Sequence, residues 1–286
     1  MPISILLAVF FACCPRKAWN IPPTLSHSIV SPGGACTGTT NWSLALPALA
    51  QDKEPTGPFG GNIAATVGFF TDYKFRGVSQ TNEKPAVQGG FDLGHKSGLY
   101  AGVWGSNVSW ISDSVPDASA SVELDFYGGY KFGLPADFSG DVGVLYYWYT
   151  GSYPSGMVKP NTTELYGALT WKFVTLKYSY SLGDTFGFDT SSGSDYLELN
   201  AAYDIVDKVN DTIGKVTLEG HVGNQRFKGF SDFDYTDWKV GASTDILGTT
   251  VGIFVTGTDA EEALYTNRFG KQIADTQFVG YIKKTF

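Results

Sequence analysis

The chain ends on D-T-Q-F-V-G-Y-I-K-K-T-F, residues 275–286. Counting back in steps of two from Phe286 gives Lys284, Ile282, Gly280, Phe278 and Thr276, while the other register gives Thr285, Lys283, Tyr281, Val279 and Gln277. A period of two is a strand, and it puts Phe278, Ile282 and Phe286 on one face. Lys284 interrupts that apolar face, but so close to the terminus a lysine lays its stem on apolar surface and keeps its ammonium in water. Such a strand needs a sheet with one greasy side, and the rest of the chain has to supply it.

The composition allows this. The 286 residues include 35 Gly, 20 Phe, 16 Tyr and 7 Trp, a balance that leans towards an all-β chain with many turns. Apolar residues make up 43% of the chain, yet the longest uninterrupted apolar run lies within residues 3–14. That is short of the roughly 20 residues a spanning helix needs. A membrane chain built this way carries its apolar surface in alternation, a signal that is weak in any one segment.

Residues 1–50 are a different kind of sequence. They hold all three cysteines (Cys13, Cys14, Cys36), the basic pair Arg16 and Lys17, and no acid. Ala48-Leu49-Ala50 has the small-x-small form of a signal-peptidase site, so residues 1–50 read as an export region and residues 51–61 as a polar lead-in. The basic pair follows the apolar run instead of preceding it, which departs from the usual signal. Phe10-Phe11-Ala12 makes a poor lipobox for Cys13 and Cys14. With residues 1–50 removed no cysteine remains, and disulfides and cysteine metal sites drop out of the mechanism.

From residue 62 the alternation is sustained. In residues 62–75 the odd positions Ile63, Ala65, Val67, Phe69, Tyr73 and Phe75 are apolar, against Asn62, Thr66, Asp72 and Lys74 on the even side. In residues 119–132, Val122, Leu124, Phe126, Tyr130 and Phe132 alternate with Ser121, Glu123, Asp125 and Lys131. The pattern recurs in residues 85–94, 99–108, 141–150, 164–173, 174–182, 196–205, 216–225, 237–246 and 250–258, which with the closing strand makes twelve strands. Their connections alternate between long, polar stretches rich in Gly, Ser or Asp and mostly shorter ones. Long loops at one end and short turns at the other are what an up-and-down barrel in an outer membrane requires. After Pro58 the prolines fall at a strand start or in connections.

A terminal aromatic on the last strand resembles the closing strand of bacterial outer-membrane β-barrels, whose assembly machinery reads that end. Several segments further resemble the TorF-type porin family: residues 73–81 (YKFRGVSQT), 100–108 (YAGVWGSNV) and 123–130 (ELDFYGGY), with 176–180, 237–241 and the terminal Lys284-Thr285-Phe286. The resemblance covers roughly residues 62–286. It implies a Gram-negative outer-membrane β-barrel that meets membrane lipid and, through Phe286, the assembly machinery. It carries no catalytic residue over.

The chemical motifs are weak beside this. His95-Lys96-Ser97 has a His-x-Ser spacing seen in outer-membrane phospholipases, but it sits between Gly94 and Gly98 and reads better as a turn. His221 falls on the wet face, where a hydrogen-bonded interior histidine is the plainer reading than a metal ligand. Asp232, Asp234 and Asp237 lack the glycine and glutamate an EF-hand would place at 237 and 243. There is no phosphate loop, no nucleophile elbow and no basic patch for nucleic acid. No catalytic residue, cofactor or metal ligand is expected.

The expected function is passive diffusion of small hydrophilic solutes or ions. A non-conducting barrel with ligand- or partner-binding loops ranks second, and a lipid-acting barrel enzyme third. Tyr127, Tyr147, Tyr149 and Phe254 point inward and constrict the lumen, since twelve strands lie between the filled eight-strand and the open sixteen-strand case. The expected pore-lining residues are Lys74, Arg76, Asp92, Glu123, Asp125, Glu164, Lys177, Glu198, Glu219, His221 and Lys239. Adding Asp72, Asp141, Asp204, Asp237 and Asp245 to the acids, and Lys131, Lys172 and Lys283 to the bases, gives eleven inward acids against seven bases. That balance of minus four favours cations.

Overall fold

The structure, a computed structural model, describes residues 61–286. The export region and all but the last residue of the lead-in lie outside the described residues. The strands in chain order are β1 (Gly61–Phe70), β2 (Lys74–Phe75), β3 (Val78–Ser79), β4 (Ala86–His95), β5 (Leu99–Asn107), β6 (Val122–Gly133), β7 (Phe138–Thr150), β8 (Thr162–Trp171), β9 (Val174–Ser181), β10 (Asp195–Val206), β11 (Ile213–Arg226), β12 (Tyr235–Ile246), β13 (Thr249–Thr258) and β14 (Gln277–Thr285). All but β2 and β3 form one closed antiparallel barrel in which neighbours in the chain are neighbours in space. The one α-helix among the described residues is the short α1 (Trp110–Ser114), in a connection, and a single 3-10 turn spans Ser231–Phe233 in another.

The barrel closes where β14 pairs with β1, Phe69 facing Ile282 and Thr66 facing Thr285. The terminal residue completes the seam: Phe286 N–H donates to Ala65 O at 2.8 Å and Ala65 N–H to Phe286 O at 3.2 Å. Phe278, Ile282 and Phe286 face outward and are exposed, and the Lys284 ammonium lies 5.6 Å from the Phe286 ring centre.

Alternation explains the wall. Val67, Phe91, Val144, Leu165, Leu199, Val222 and Ile253 are exposed on the outside, while Asp92, Glu123, Asp125, Glu164, Glu198 and Glu219 are buried inside. Water outside would make this arrangement costly at about 25 cal/mol per Å² of apolar surface, whereas lipid outside makes it the stable one. Exposed Tyr146, Trp148, Tyr178, Tyr180 and Trp238 ring the end with long connections, and exposed Tyr130, Trp171, Phe173 and Tyr203 ring the end with short ones. Two aromatic girdles around an apolar band are the surface of a membrane barrel.

Three expectations need correction. The first strand stops at Phe70 instead of running to Phe75, and Tyr73 and Phe75 are buried inside rather than turned outward. Phe70 takes an inward position and stacks on Tyr281 with ring centres 5.2 Å apart, so two consecutive aromatics, Phe69 and Phe70, serve opposite faces. Lys172 is exposed in the tight turn between β8 and β9, with φ of 53°, and contributes nothing to the interior. Lys215, whose ammonium is 3.3 Å from Asp204, takes an inward place that the sequence pattern did not assign.

Candidate functional site: the plugged barrel interior

Twelve strands enclose more space than wall side chains fill. Residues 71–85, the first long connection, turn into that space. Their centre is the β2–β3 hairpin, with Lys74 opposite Ser79 and Phe75 opposite Val78. Its two-residue tip, Arg76 and Gly77, has φ of 48° and 80°. Two successive positive φ values match the twist of a tight hairpin, and glycine accepts them without strain. Gly77 has a second constraint, because a Cβ there would lie 2.8 Å from Asp237 Cβ and closer still to Thr258 Cγ2. The tip is seated directly on β12 and β13.

Arg76 is the centre of the seal. Its Nη2 donates to Glu164 Oε1 and Oε2 at 3.0 and 2.8 Å, and its Nη1 to Gln225 Oε1 at 2.6 Å. The guanidinium lies 4.1 Å from the Tyr196 ring centre and 4.8 Å from that of Phe75. Phe75 meets Tyr147 and Phe186 edge-on, and Tyr73 meets Trp104 edge-on. The hairpin thus adds aromatic core to the inward Tyr127, Leu145, Tyr147, Tyr149 and Tyr166.

Other connections strap the hairpin down. Ser79 Oγ and Thr81 Oγ1 donate to Asp72 Oδ1 at 2.6 and 2.9 Å, and Lys74 Nζ lies 3.6 Å from Asp72 Oδ2. Burial pushes the Lys74 ammonium down, opposed by the charges of Asp72, Asp275 and Glu83. Ser79 N–H donates to Ile273 O at 2.7 Å, and Lys271 pairs with Glu83 at 2.5 Å. Above the hairpin, Phe188 packs on Phe227, Phe230 and Phe233, and Tyr265 on Phe233 and Tyr235, so the long connections share an aromatic cluster.

All eleven residues expected to line a pore face the barrel interior, Lys74 and Arg76 from the hairpin and nine from the wall. His221 lies between two acceptors: Nε2 is 2.6 Å from Asp237 Oδ2 and Nδ1 is 2.7 Å from Asn200 Oδ1. Asn200 Nδ2 donates to Glu198 Oε2 at 2.8 Å, which fixes the amide's orientation. The imidazole thus bridges Asp237 and Asn200 and, through Asn200, reaches Glu198. Tyr196 OH donates to Asp237 Oδ1 at 2.7 Å, and Lys177 Nζ is 3.6 Å from Glu198 Oε1. On the opposite wall Tyr127 OH donates to Asp92 at 2.6 Å and Tyr149 OH to Glu123 at 3.0 Å, while Asp125 has no hydrogen-bond partner. Ser243 Oγ donates to Glu219 at 3.1 Å, and Lys239 Nζ lies 5.5 Å from the Phe254 ring centre.

The remaining motifs keep local roles. His95 Nδ1 is 2.8 Å from Ser97 Oγ in an exposed turn, where Ser97 N–H also donates to the ring at 3.2 Å. Asp234 accepts the Phe227 N–H at 2.6 Å and so closes its own loop. No three acids, histidines or cysteines among the described residues stand in a metal-binding arrangement. What sequence reading missed is the hairpin itself, whose signal was the Phe69-Phe70 break followed by Arg76-Gly77.

These features define a twelve-stranded antiparallel barrel sealed by its own first long connection. The chain belongs to the Gcw_chp family, described as a bacterial protein of unknown function, which matches residues 52–286. No curated protein matches it. Among solved structures it is similar to a KdgM porin (TM-score 0.49, 9% identity, 78% of this chain and 99% of that one) and a NanC porin (TM-score 0.43, 11%, 78% and 98%). It is also similar to an outer membrane channel from Pseudomonas putida F1 (TM-score 0.41, 14%, 82% and 98%).

Proposed function

We propose that this protein is a porin-like channel of the bacterial outer membrane for small hydrophilic solutes, weakly cation-preferring, and held shut here by residues 71–85. The observation that carries the reading is the nature of the seal. Arg76 and its neighbours fill the lumen from a loop through side-chain contacts to Glu164, Gln225 and Tyr196, while the wall behind them is charged and polar. A barrel meant only as a scaffold gains nothing from enclosing so many acids and bases, since burying charge is costly. The apolar band, the aromatic girdles and the seam closed by Phe286 support insertion through the barrel assembly machinery into outer-membrane lipid. The segments that resemble the TorF-type porin family, which include the hairpin and much of β5 and β6, support the same reading.

The test is planar-bilayer conductance of the refolded protein and of a variant in which residues 72–84 are replaced by a short Gly/Ser linker. The native protein is expected to conduct rarely, the shortened one steadily. A shortened barrel that is shown to be folded by its altered mobility on unheated gels, yet passes no current, would overturn the channel and leave the binding reading. That second reading rests on the shared aromatic cluster of the long connections, which gives the loops a fixed shape to present.

A further inference from the structure

The wall that receives Arg76 is held in shape by partners outside the hairpin. Gln225 Nε2 donates to Asp195 O at 3.2 Å and to Arg226 O at 3.4 Å, which leaves Oε1 to face the guanidinium. Tyr147 OH donates to Glu164 Oε2 at 3.3 Å, and among the described residues Glu164 has no base other than Arg76 within ion-pair reach. Tyr196 is fixed by its hydroxyl on Asp237 and by lying across Gly223, so its ring is in place for the Arg76 Cζ 4.1 Å away. We propose that Glu164, Gln225 and Tyr196 form a binding site for a small guanidinium-bearing solute, and that Arg76 occupies it as the chain's own substitute while the barrel is shut. Passage of that solute through the lumen rests on the channel reading; the site itself does not.

The acceptors suit a planar fork. Nη2 meets both Glu164 oxygens, Nη1 meets the Gln225 amide, and the guanidinium carbon lies over an aromatic ring. A guanidinium presents its donors in one rigid plane and stacks on aromatic faces, whereas an ammonium is a compact, strongly hydrated point charge. Water in the vacated space would leave the buried Glu164 carboxylate without a counter-charge, and an anion would be repelled by it. The backbone adds a second indication. Arg76 has φ of 48°, a left-handed conformation that glycine or asparagine adopts more easily at a hairpin tip, so the tip keeps its arginine against local preference. The tethered occupant is also imperfect, because its Nε is buried without a partner. Tethering nevertheless gives it an effective concentration on the order of millimolar, so a free solute binds the sealed barrel poorly and the unsealed one well.

The experiment is calorimetric titration of the refolded full-length Arg76→Ala barrel with methylguanidinium and, separately, methylammonium at equal ionic strength. The variant with residues 72–84 replaced by a linker is titrated in parallel, and altered mobility on unheated gels shows that each is folded. Methylguanidinium is expected to bind both variants about tenfold tighter than methylammonium, to bind the native protein more weakly, and to lose its advantage when Glu164→Gln is added. Equal affinity for the two cations would overturn the proposal, as would methylguanidinium binding that survives Glu164→Gln or is absent from both folded variants. No arm reads conductance. A barrel that conducts without discriminating the two cations overturns this site alone, and one that binds methylguanidinium but passes no current upholds the site and overturns the channel.

Discussion

One nitrogen of Arg76, Nη2, holds both oxygens of Glu164 at 3.0 and 2.8 Å, joining the first long connection to strand β8 through the barrel interior. Both side chains are at most 3% exposed. Removing one partner of such a pair strands a buried charge, which costs roughly 3–5 kcal/mol, while replacing both is far milder. Arg76→Ala should therefore unseat the hairpin: open-channel events rise and residues 71–85 become protease-sensitive while the barrel stays folded. Combining it with Glu164→Gln should recover part of the lost stability. An Arg76→Ala protein with native loop protection would mean that the aromatic contacts hold the seal without the ion pair.

Gly223 makes a sharper test of the polar network. An added Cβ there would collide with the Tyr196 ring and hydroxyl, which lie flat across it. Gly223→Ala should displace Tyr196, loosening its bond to Asp237 and its stacking on Arg76 together. Overpacking of this kind costs about 1–3 kcal/mol. The expected signature is a lowered unfolding midpoint with increased conductance, read on the same refolded sample. Gly220→Ala, with open space around the new methyl, should change neither.

On the outer face, Leu124 on β6 points towards lipid and packs near Gly105 of β5. Leu124→Arg should cost on the order of 2–4 kcal/mol if its depth is near the midplane. Its neighbour Glu123 points inward, accepts Tyr149 OH at 3.0 Å and has Oε2 unpartnered, so Glu123→Gln removes a buried charge and should be tolerated. Unfolding in detergent or lipid, followed by tryptophan fluorescence, separates the two. Equal effects would mean that the faces are assigned wrongly.

The faces were readable because period two is a local property of the chain. Parity put Glu123, Glu164, Glu198 and Lys239 inside without knowledge of any contact. It failed at residues 71–75 because lipid and a plugged lumen are both apolar surroundings, so Tyr73 and Phe75 continue the same pattern after the chain has left the wall. Lys172 escaped because nothing in Trp171-Lys172-Phe173 announces a positive φ. Partnership was readable only in part: charge and parity allow Glu198 to pair with Lys177, as it does at 3.6 Å, but Tyr196 meets Asp237 and Arg76 meets Glu164 across strands far apart in sequence, and only closure of the barrel brings them together.

Phe286 tests the seam. Its backbone exchanges two hydrogen bonds with Ala65 and its exposed ring extends the outward apolar face of β14. Deleting it should impair insertion in cells while synthesis and export continue, since both the last rung of the ladder and the terminal aromatic are lost. Surface labelling against total protein measures this. Unchanged surface accumulation would show that the assembly machinery does not depend on this residue.

Ion preference follows from the interior charge. Exchanging exposed Lys172 for inward Lys215 leaves eleven acids against seven bases in the sealed barrel, and without residues 72–84 the loss of Asp72, Lys74 and Arg76 leaves ten against five, so the wall still favours cations. The field should matter most at low salt, because exposed charges are screened over about 10 Å at 0.1 M. Much of the acid is already engaged, Glu198 by Lys177 and Asn200, Glu164 by Arg76, and Asp237 by His221 and Tyr196. Asp125, with neither oxygen hydrogen-bonded, and Glu123 beside it are buried acids that no base holds, and water entering the opened lumen would let them ionise. In the variant lacking residues 72–84, the reversal potential in a potassium chloride gradient should fall on the cation side and shrink when Glu123→Gln is combined with Asp125→Asn. An anion-side value would show that Lys239, His221 and Lys283 control the opened lumen, and would refute the cation preference while leaving the channel itself standing.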